Sequence, residues 1–598
     1  MTDPSVAAKS PPARQTKVPL AGVLLLTAGV LGAVAPLVFS MQPYLVSLLM
    51  QASTYAIAVL GLTIVLGYAG QINLAQAAFF GIGAYSVGLG TASFGLPFSL
   101  SLLIGVGAAT ICGAVLGFAS LRVGGHYLAM VTISFQTILS LVLINWVSFT
   151  HGPDGVPNIE RPTWFGHAFG DGQYLALSIA MLCAIGFLVL SLPKTRLGRA
   201  MQALRDNELA AEVVGVDTYR TKVIAFALSS FLGGLGGGLF AGGFSYVSPD
   251  QFTFSESVVF LTMVLLGGVR SPFGAMLGTA LLILLPEWLR FLKVVYLAVY
   301  GAAVILIMVF MPDGIWGFFS MRWRKLRPEA AAEPHEIAPL PLVRQVATDA
   351  GRVVLTTDDL SKHFGGLKAL EGVSFAVRSN DVHALIGPNG SGKTTMLNVL
   401  SGIYQPTRGR ITFGGRVLAN LQPHQRAGLG LGRTFQNIRL FTAMTVLENV
   451  IVGAERPNNS VAGGEAELKQ HALAALDFVG LAHRAHEQVG SLSYGHQRLV
   501  EIARTLAGSP KLILLDEPGA GLNHVEKSEL VGLLKRLKGH GLTILIIDHD
   551  MNLVEQVADH ITVLNFGRRI ADGSPAEVLS HPDVIAAYLG EATSRVAS

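Results

Sequence analysis

The sequence predicts two domains of different classes, an all-α domain that spans a membrane many times and a soluble α/β domain. The 598-residue chain has a mean hydropathy of +0.51 and only 14% charged residues, against roughly 25% in soluble domains. The charges are uneven, because no Lys, Arg, Asp or Glu lies between Lys17 and Arg122. A soluble surface without charges over that length would aggregate. From about residue 320 onward the composition is that of a charged globular protein.

About ten apolar segments are candidate transmembrane helices, since a spanning helix needs roughly 20 apolar residues. They are residues 18–40, 44–67, 75–95, 98–121, 127–149, 173–193, 221–245, 257–269, 273–291 and 294–316. An even number of spans returns the chain to its starting side, and basic residues mark that side as cytoplasmic. The basic residues on the predicted cytoplasmic side are Arg122, Lys194, Arg196, Arg199, Arg205, Arg220, Lys222 and Arg270, followed after the last span by Arg322, Arg324, Lys325 and Arg327. Two basic residues at a predicted outer turn, Arg290 and Lys293, are exceptions to this rule.

Two features inside the membrane domain each allow two interpretations. A glycine stripe with a spacing of four favours close helix packing over a role at a substrate; it consists of Gly234, Gly238 and Gly242. Polar side chains at membrane depth either line a translocation path or hydrogen-bond neighbouring helices. Those that interrupt apolar sequence are Gln71, Asn73 and Gln76.

The segment 194–220 is too charged to lie in lipid, and its apolar residues recur at helical spacing. We expect one amphipathic helix over 203–215, ending at Gly215, whose apolar side is covered by something soluble. A helix lying flat on lipid headgroups would carry a more basic polar face.

In the soluble domain, "GPNGSGKT" fits the pattern G-x-x-x-x-G-K-[ST] between an apolar run and a helix-forming run. In such a loop the backbone N–H groups and the helix N-terminus bind phosphate, while the lysine adds a charge and the Thr394 hydroxyl binds Mg²⁺. The predicted phosphate-binding residues are Gly387, Pro388, Asn389, Gly390, Ser391, Gly392, Lys393, Thr394 and Thr395.

Two later apolar runs end in candidate catalytic residues. "KLILLDEPGAG" predicts a buried strand followed by Asp516 and Glu517; the first carboxylate suits Mg²⁺ and the second suits activation of a water molecule. The weaker alternative is that the two acids cap a helix. "LTILIIDHD" predicts a second buried strand that ends near His549. An imidazole at that strand end could reach a γ-phosphate, although an isolated histidine there is more often structural.

Over about residues 354–592 the order of these motifs resembles the nucleotide-binding domain of an ABC transporter. "RTFQN" places Gln436 at the Q-loop position, and "LSYGHQ" stands at the signature position. The resemblance implies that Gln436 contacts Mg²⁺ and, with His549, senses the γ-phosphate. It further implies that Glu517 is the general base and that Phe364 stacks on adenine. Ser493 and Gly495 would contact ATP held by an opposite domain.

The chain departs from that family pattern at three positions: Tyr494 and His496 in the signature, and Asn523 in the D-loop sequence "GAGLN". Because Ser493 and Gly495 are retained, hydrolysis is expected to survive.

"RTFQNIRLFTAMTVLENV" and "GSPAEVLSHPDVIAAYLG" resemble the ATPases of branched-chain amino acid importers, and "GYAGQINLAQAAFFGIGAY" is similar to the permeases of the same systems. Permease and ATPase are usually separate chains in that family, whereas here they look fused. The expected domains are an N-terminal tail (1–17), a permease domain (18–318) with the coupling segment 194–220, a linker (319–353), an ABC ATPase domain (354–592) and a C-terminal tail (593–598).

The resemblance implies an ATP- and Mg²⁺-dependent importer of branched-chain or related hydrophobic amino acids in the bacterial inner membrane, with its N-terminus and ATPase domain in the cytoplasm. Expected partners are a second permease and ATPase half, either separate subunits or a second copy, and a periplasmic or lipid-anchored solute-binding protein. Urea, short amides or aromatic acids are alternative solutes, and a membrane-anchored regulatory ATPase is an alternative function. The small net charge of +4 does not indicate a nucleic-acid partner.

Overall fold

The computed structural model describes residues 42–119, 126–164, 167–289, 291, 296–311, 313–326, 351–456 and 464–588. The predicted tails, the first predicted span (18–40), Arg122 and most of the predicted linker lie outside these ranges. The chain divides into a helical unit, made mainly of residues 72–192 and 226–326, and a second unit that combines residues 193–225 with the C-terminal part of the chain.

The described residues up to Leu326 form helices, their connecting loops and four very short strands. The helices are α1 (Pro43–Leu62), α2 (Gln76–Gly88), α3 (Phe98–Ala119), α4 (His126–Asn145), α5 (Val147–Thr150), α6 (Asp171–Ser191), α7 (Arg196–Asp206), α8 (Glu208–Val213), α9 (Thr218–Phe244), α10 (Phe254–Gly267), α11 (Pro272–Trp288), α12 (Tyr296–Phe310) and α13 (Gly314–Leu326). The strands are β1 (Val156–Pro157), β2 (Thr163–Trp164), β3 (His167–Ala168) and β4 (Tyr246–Val247). Strand β1 pairs with β4 and β2 pairs with β3, both antiparallel.

Within the described ranges, five helical segments are long and apolar enough to cross a membrane: Pro43–Tyr68, Phe98–Ala119, Tyr127–Asn145, Asp171–Lys194 and Thr218–Phe244. Helices α10 and α11 are apolar but shorter. The count of about ten transmembrane helices therefore stays a prediction. Helix α13 continues to Leu326, so the chain is still helical beyond residue 319, where the linker was predicted to begin.

The glycine stripe of α9 packs closely against other helices, as its spacing predicted. A Cβ atom at Gly234 would lie 2.7 Å from the Cβ atom of Ala109 on α3. At Gly242 it would lie 2.6 Å from both the Phe98 ring and the Tyr174 hydroxyl. A side chain at these positions would force the helices apart.

The Gln76 side chain forms hydrogen bonds to two other helices and is held by Asn73, which agrees with one of the two interpretations left open by the sequence. Gln76 Nε2 donates to the Ala58 carbonyl oxygen at 2.7 Å, and Gln76 Oε1 accepts from Ser229 Oγ at 3.0 Å and from Asn73 Nδ2 at 3.1 Å. Both side chains are buried. Because their hydrogen-bonding groups are engaged in packing, the structure does not favour them as the lining of a path.

The C-terminal part of the second unit is an α/β domain with two sheets. Its strands are β5 (Val353–Phe364), β6 (Leu367–Arg378), β7 (Val382–Ile386), β8 (Arg408–Phe413), β9 (Arg416–Val417), β10 (Leu431–Arg433), β11 (Leu512–Asp516), β12 (Thr543–Ile547), β13 (His560–Asn565) and β14 (Arg568–Gly573). Its helices are α14 (Lys393–Ser401), α15 (Pro423–Gly428), α16 (Val446–Ala454), α17 (Glu465–Phe478), α18 (Tyr494–Ala507), α19 (His524–Gly539), α20 (Met551–Val557) and α21 (Pro575–Leu579).

The larger sheet has the strand order β10-β11-β12-β7-β13-β14, in which all neighbours are parallel except β13 and β14. The smaller sheet, β6-β5-β8-β9, is antiparallel. Strands β7, β11 and β12 are buried along their whole lengths, as continuous apolar runs predict for a parallel sheet. Their carboxyl ends lie at one edge of the sheet, where ligands bind in open parallel sheets.

Candidate active site

The loop between β7 and α14 has the geometry of a phosphate cradle. Gly387, Gly390 and Gly392 adopt φ angles of +147°, +78° and +101°, which side chains disfavour. A Cβ atom at Gly392 would also lie 2.5 Å from the Ala369 carbonyl oxygen. The loop therefore requires glycine both for conformation and for space, and it leads directly into the N-terminus of α14, where free N–H groups favour an anion.

Lys393 and Ser391 face the inside of this loop. The Lys393 ammonium donates hydrogen bonds to the carbonyl oxygens of Gly387 at 2.7 Å and Pro388 at 2.8 Å. The buried hydroxyl of Ser391 makes no hydrogen bond within the described residues. A phosphate oxygen is an acceptor that would satisfy this hydroxyl, since buried polar groups without a partner are unfavourable.

Asp516 ends strand β11 and is buried, with 2% of its surface exposed. Burial raises the pKa of its carboxyl group, and the Arg433 guanidinium, 3.5 Å away, opposes that rise. Its Oδ1 atom has no hydrogen-bond partner among the residues that the structure places. An oxygen with free lone pairs at this sheet edge suits a hard divalent cation.

Glu517, Gln436 and His549 lie close together, although Gln436 and His549 are 113 positions apart in the sequence. Gln436 Nε2 donates to Glu517 Oε2 at 2.9 Å, and His549 Nδ1 lies 3.6 Å from the same oxygen. Glu517 follows β11 directly and has a φ angle of +44°, an unusual backbone conformation that is typical of functional sites. The structure thus assembles the predicted general base with both predicted γ-phosphate sensors.

Phe364, the predicted adenine-stacking residue, lies at the end of β5 with 39% of its surface exposed. Its ring meets Tyr404 edge to face at a centroid distance of 5.1 Å, and the Lys362 ammonium lies 4.9 Å from the Phe364 centroid. The sequence analysis did not identify Tyr404 or Lys362. Lys362 precedes Phe364 by two residues on β5, so the alternation of a strand places both on one face, whereas the pairing of β5 with β8 brings Tyr404 close.

The signature residues Ser493 and Gly495 lie at the beginning of α18, where Ser493 is the N-cap. A Cβ atom at Gly495 would lie 2.5 Å from Glu526 Oε1, and one at Gly521 would lie 3.0 Å from the Tyr494 ring. The substituted signature thus packs against the D-loop and the start of α19, while the Ser493 side chain is exposed.

A buried charge cluster on α18 holds the Q-loop, and the sequence analysis missed it. Arg498 donates to the carbonyl oxygens of Phe435 at 2.6 Å and Gln436 at 2.8 Å. Glu501 accepts from the backbone N–H groups of Phe435 and Arg439 and forms an ion pair with Arg498 at 2.9 Å. Both side chains are almost completely buried. Gln436 is therefore positioned through its backbone by the same helix that carries the signature serine.

The coupling segment docks on the ATPase domain within the second unit. Its apolar residues form one buried cluster with Q-loop and α16 residues: Ala203, Ala210, Ala211, Val213, Val214, Phe435, Phe441, Met444 and Val452. This confirms the expectation that something soluble covers its apolar side. The single helix expected over 203–215 is wrong, however, because Asn207 is extended and caps α8 by accepting from the Ala210 N–H group at 2.9 Å.

Polar contacts fix the position of this segment. Asp206 accepts from the Ala443 N–H group at 2.8 Å, and Arg439 of the Q-loop donates to the Asn207 side chain at 3.4 Å. Arg199 on α7 forms ion pairs with Glu455 and with Glu465, the latter at 2.7 Å. The sequence analysis treated Arg199 only as a topology signal.

Family models match both parts of the chain. The model described as "Branched-chain amino acid transport system / permease component" matches residues 44–311, "ABC transporter" matches 370–520, and "Branched-chain amino acid ATP-binding cassette transporter" matches 568–593. The high-affinity branched-chain amino acid transport ATP-binding protein BraF of Pseudomonas aeruginosa is 44% identical over 253 residues, which are 40% of this chain and 99% of BraF. The chain belongs to the branched-chain amino acid ABC transporter family.

A second relative of this transporter, the high-affinity branched-chain amino acid transport ATP-binding protein LivG of Escherichia coli K12, is 41% identical over 40% of this chain and 98% of LivG. A solved ATP-binding cassette of an ABC transporter, in its ADP conformation, is 38% identical in sequence, with a TM-score of 0.37. The match covers 40% of this chain and 99% of the solved chain. In this member of the family a permease domain and an ABC ATPase domain are fused in one membrane protein.

Proposed function

We propose that this transporter is an ATP-driven importer of branched-chain or related hydrophobic amino acids in the bacterial inner membrane. The observation that carries this proposal is the position of the Q-loop. At one end Gln436 reaches Glu517, and a few residues later Arg439 and Ala443 contact the coupling segment. A change at the γ-phosphate can therefore reach the segment that leads into α9.

Each predicted site residue has a role in this proposal. The cradle residues from Gly387 to Thr395 bind the phosphates of ATP, and Phe364 stacks on adenine. Glu517 takes a proton from the attacking water, and its exposed fraction of 18% leaves room for that water. Gln436 and His549 detect the γ-phosphate through their contacts with Glu517.

Thr394, Gln436 and Asp516 would hold Mg²⁺. All three offer oxygen ligands, and the unpartnered Asp516 Oδ1 atom fits a cation at this edge of the sheet. When bound, Mg²⁺ neutralises charge on the transferred phosphoryl group. The ion pair with Arg433 keeps the Asp516 carboxyl group in place.

One copy of the chain supplies half of an importer. Ser493 and Gly495 lie at the beginning of α18, and the family resemblance implies that each ATP is held between the cradle of one ATPase domain and the signature of a second. The second half is a separate permease and a separate ATPase, or another copy of this chain, and a periplasmic or lipid-anchored protein delivers the solute. The N-terminus and the ATPase domain face the cytoplasm.

The catalytic part of the proposal is tested by Glu517→Gln in the purified complex. Loss of a general base lowers turnover by about 10²- to 10⁴-fold, so ATP hydrolysis should fall at least about a hundredfold while ATP still binds. Glu529→Gln, an exposed residue on α19, is the matched control and should hydrolyse ATP normally. Unchanged turnover in Glu517→Gln would remove Glu517 from the catalytic role.

The transport part is tested by purifying the tagged chain gently from its host and identifying the proteins that accompany it by mass spectrometry. A second permease, a second ATPase and a solute-binding protein are expected. The binding protein is then titrated with leucine, isoleucine and valine, and with urea, short amides and aromatic acids. Binding of only the latter group would replace the proposed solute, and recovery of the chain with itself alone would replace the heteromeric assembly by a homodimer.

A further inference from the structure

His496, one of the two residues that depart from the family's signature pattern, contacts the signature serine directly. The Ser493 hydroxyl oxygen lies 3.0 Å from His496 Nδ1 and 3.4 Å from the His496 backbone nitrogen. The backbone N–H group donates to Ser493 Oγ as part of the N-cap of α18. The His496 imidazole, in the first turn of α18, therefore contacts the same Ser493 hydroxyl group that caps the helix.

Arg484 determines which nitrogen of the imidazole carries a proton. Its Nη1 atom lies 3.0 Å from His496 Nδ1, and a guanidinium group can only donate. Nδ1 is therefore the acceptor, and the ring proton is on Nε2. Glu487 pairs with Arg484 Nε at 2.9 Å and holds the guanidinium in place. Since Nδ1 is an acceptor, the Ser493 hydroxyl hydrogen points towards it.

We propose that His496, held by Arg484, is a positioning residue that competes with the γ-phosphate of ATP on the opposite ATPase domain for the Ser493 hydroxyl hydrogen. This inference rests on the proposed arrangement of ATP between a cradle and a signature. The Nδ1 atom has one lone pair, and two donors share it. The serine hydrogen is thus held in a defined direction but weakly, and a phosphate oxygen, which is a stronger acceptor, can take it.

The surroundings of His496 leave this arrangement accessible. Ser493 and Tyr494 are exposed, and His496 and Arg484 are half-buried. Glu487 and Glu526 are the carboxylates nearest to this turn, the first paired with Arg484 and the second used in the capping box of α19 with Asn523. Substitution of His496 therefore removes a contact to Ser493 without opening the buried core.

The test measures KM for ATP and kcat of ATP hydrolysis in the purified complex that contains the full chain. His496→Ala should lower KM about three- to tenfold, the effect of one hydrogen bond, because the hydroxyl hydrogen is then available to the phosphate, with kcat changed less than about twofold. His496→Asn should restore KM, because its Oδ1 atom is the same number of bonds from the backbone as Nδ1. Arg484→Met should raise KM instead, because the Ser493 hydroxyl would then have the Nδ1 lone pair to itself, and His483→Ala, an exposed neighbour of Arg484, is the control.

An unchanged or raised KM in His496→Ala overturns the inference, as does an equal fall in His496→Ala and His496→Asn. A purely structural role would lower the active fraction and hence kcat alone, which also counts against it. Glu517→Gln distinguishes a failure of the proposed function from a failure of the role of His496. If that variant abolishes hydrolysis while the His496 variants leave KM unchanged, the proposed function stands and only the role of His496 fails.

Discussion

Replacement of Arg199 by methionine should detach the coupling segment from the ATPase domain while leaving both folded. Arg199 and Glu455 have only 6% of their side-chain surfaces exposed, whereas Glu465 has 59%. Removal of one partner of a buried ion pair leaves an uncompensated charge and costs about 3–5 kcal/mol. The exposed pair with Glu465 contributes at most about 1 kcal/mol. Glu455 should therefore stabilise the docked coupling segment far more than Glu465 does, although both contact the Arg199 guanidinium group.

A destabilisation of about 3–5 kcal/mol shifts the docking equilibrium of the coupling segment about a hundredfold to several thousandfold. Hydrogen–deuterium exchange of the α8 amides should accelerate by about a hundredfold or more in Arg199→Met and in Glu455→Gln. Glu465→Gln, the matched control, should change exchange less than about fivefold. Basal ATP hydrolysis should be retained, while, in the importer proposed above, its stimulation by a solute-loaded binding protein should be lost.

The double variant Arg199→Met/Glu455→Met distinguishes a specific ion pair from general damage. Replacement of both buried charges by apolar side chains of similar size is often neutral, so the double variant should regain most of the protection of α8. The reasoning is refuted if the double variant exchanges as fast as the single variants, or if Glu465→Gln is as damaging as Glu455→Gln.

Two further predictions concern nucleotide binding and pH. Phe364→Ala should weaken ATP binding about fivefold to a hundredfold, the range for loss of one aromatic stacking partner. Tyr404→Ala should weaken binding less, because Tyr404 packs edge to face with Phe364 and only supports that ring. Titration with a fluorescent ATP analogue measures both affinities, and an equal or larger effect of Tyr404→Ala would contradict the assignment. Burial lowers the pKa of His383 to about 3. The neutral imidazole therefore makes its full contribution to folding stability above about pH 6.5, the pKa of histidine in the unfolded chain. That contribution is lost by about 1.4 kcal/mol per pH unit as the pH falls from about 6.5 towards 3. His383→Gln should therefore flatten the decline of the thermal midpoint of the detergent-solubilised chain below pH 6.5, and an unchanged decline would show that other groups cause it.

The catalytic edge of the sheet was predictable because its residues follow buried strands. Asp516 and Glu517 follow an apolar run, and so does His549, and parallel strands bring their carboxyl ends to one edge. The glycine pattern of the cradle requires one loop conformation, and the structure has it. At these positions the local sequence was sufficient to predict the site, together with the general rule for the ends of parallel strands.

The residues that hold the Q-loop were not predictable in the same way. Arg498, Glu501 and Arg504 have the i, i+3 spacing of a solvated helix face, yet all three are buried. Their partners are backbone groups about 60 residues earlier in the chain, which no local pattern reveals. The break at Asn207 was different, because asparagine before an acidic residue is a local N-cap signal that the apolar periodicity of 203–215 obscured.

The fusion of the two domains changes what the coupling contacts must achieve. In a transporter of separate chains, contacts such as those of Arg199 must both recruit the ATPase and fix its orientation. Here the coupling segment and the ATPase domain are covalently connected, so docking is intramolecular and a high effective concentration replaces recruitment. The apolar cluster around Phe441 and Val213 provides non-directional affinity, whereas the ion pair with Glu455 and the hydrogen bonds of Asp206 and Asn207 fix the orientation. Substitutions of these polar residues should therefore uncouple ATP hydrolysis from transport without dissociating the complex.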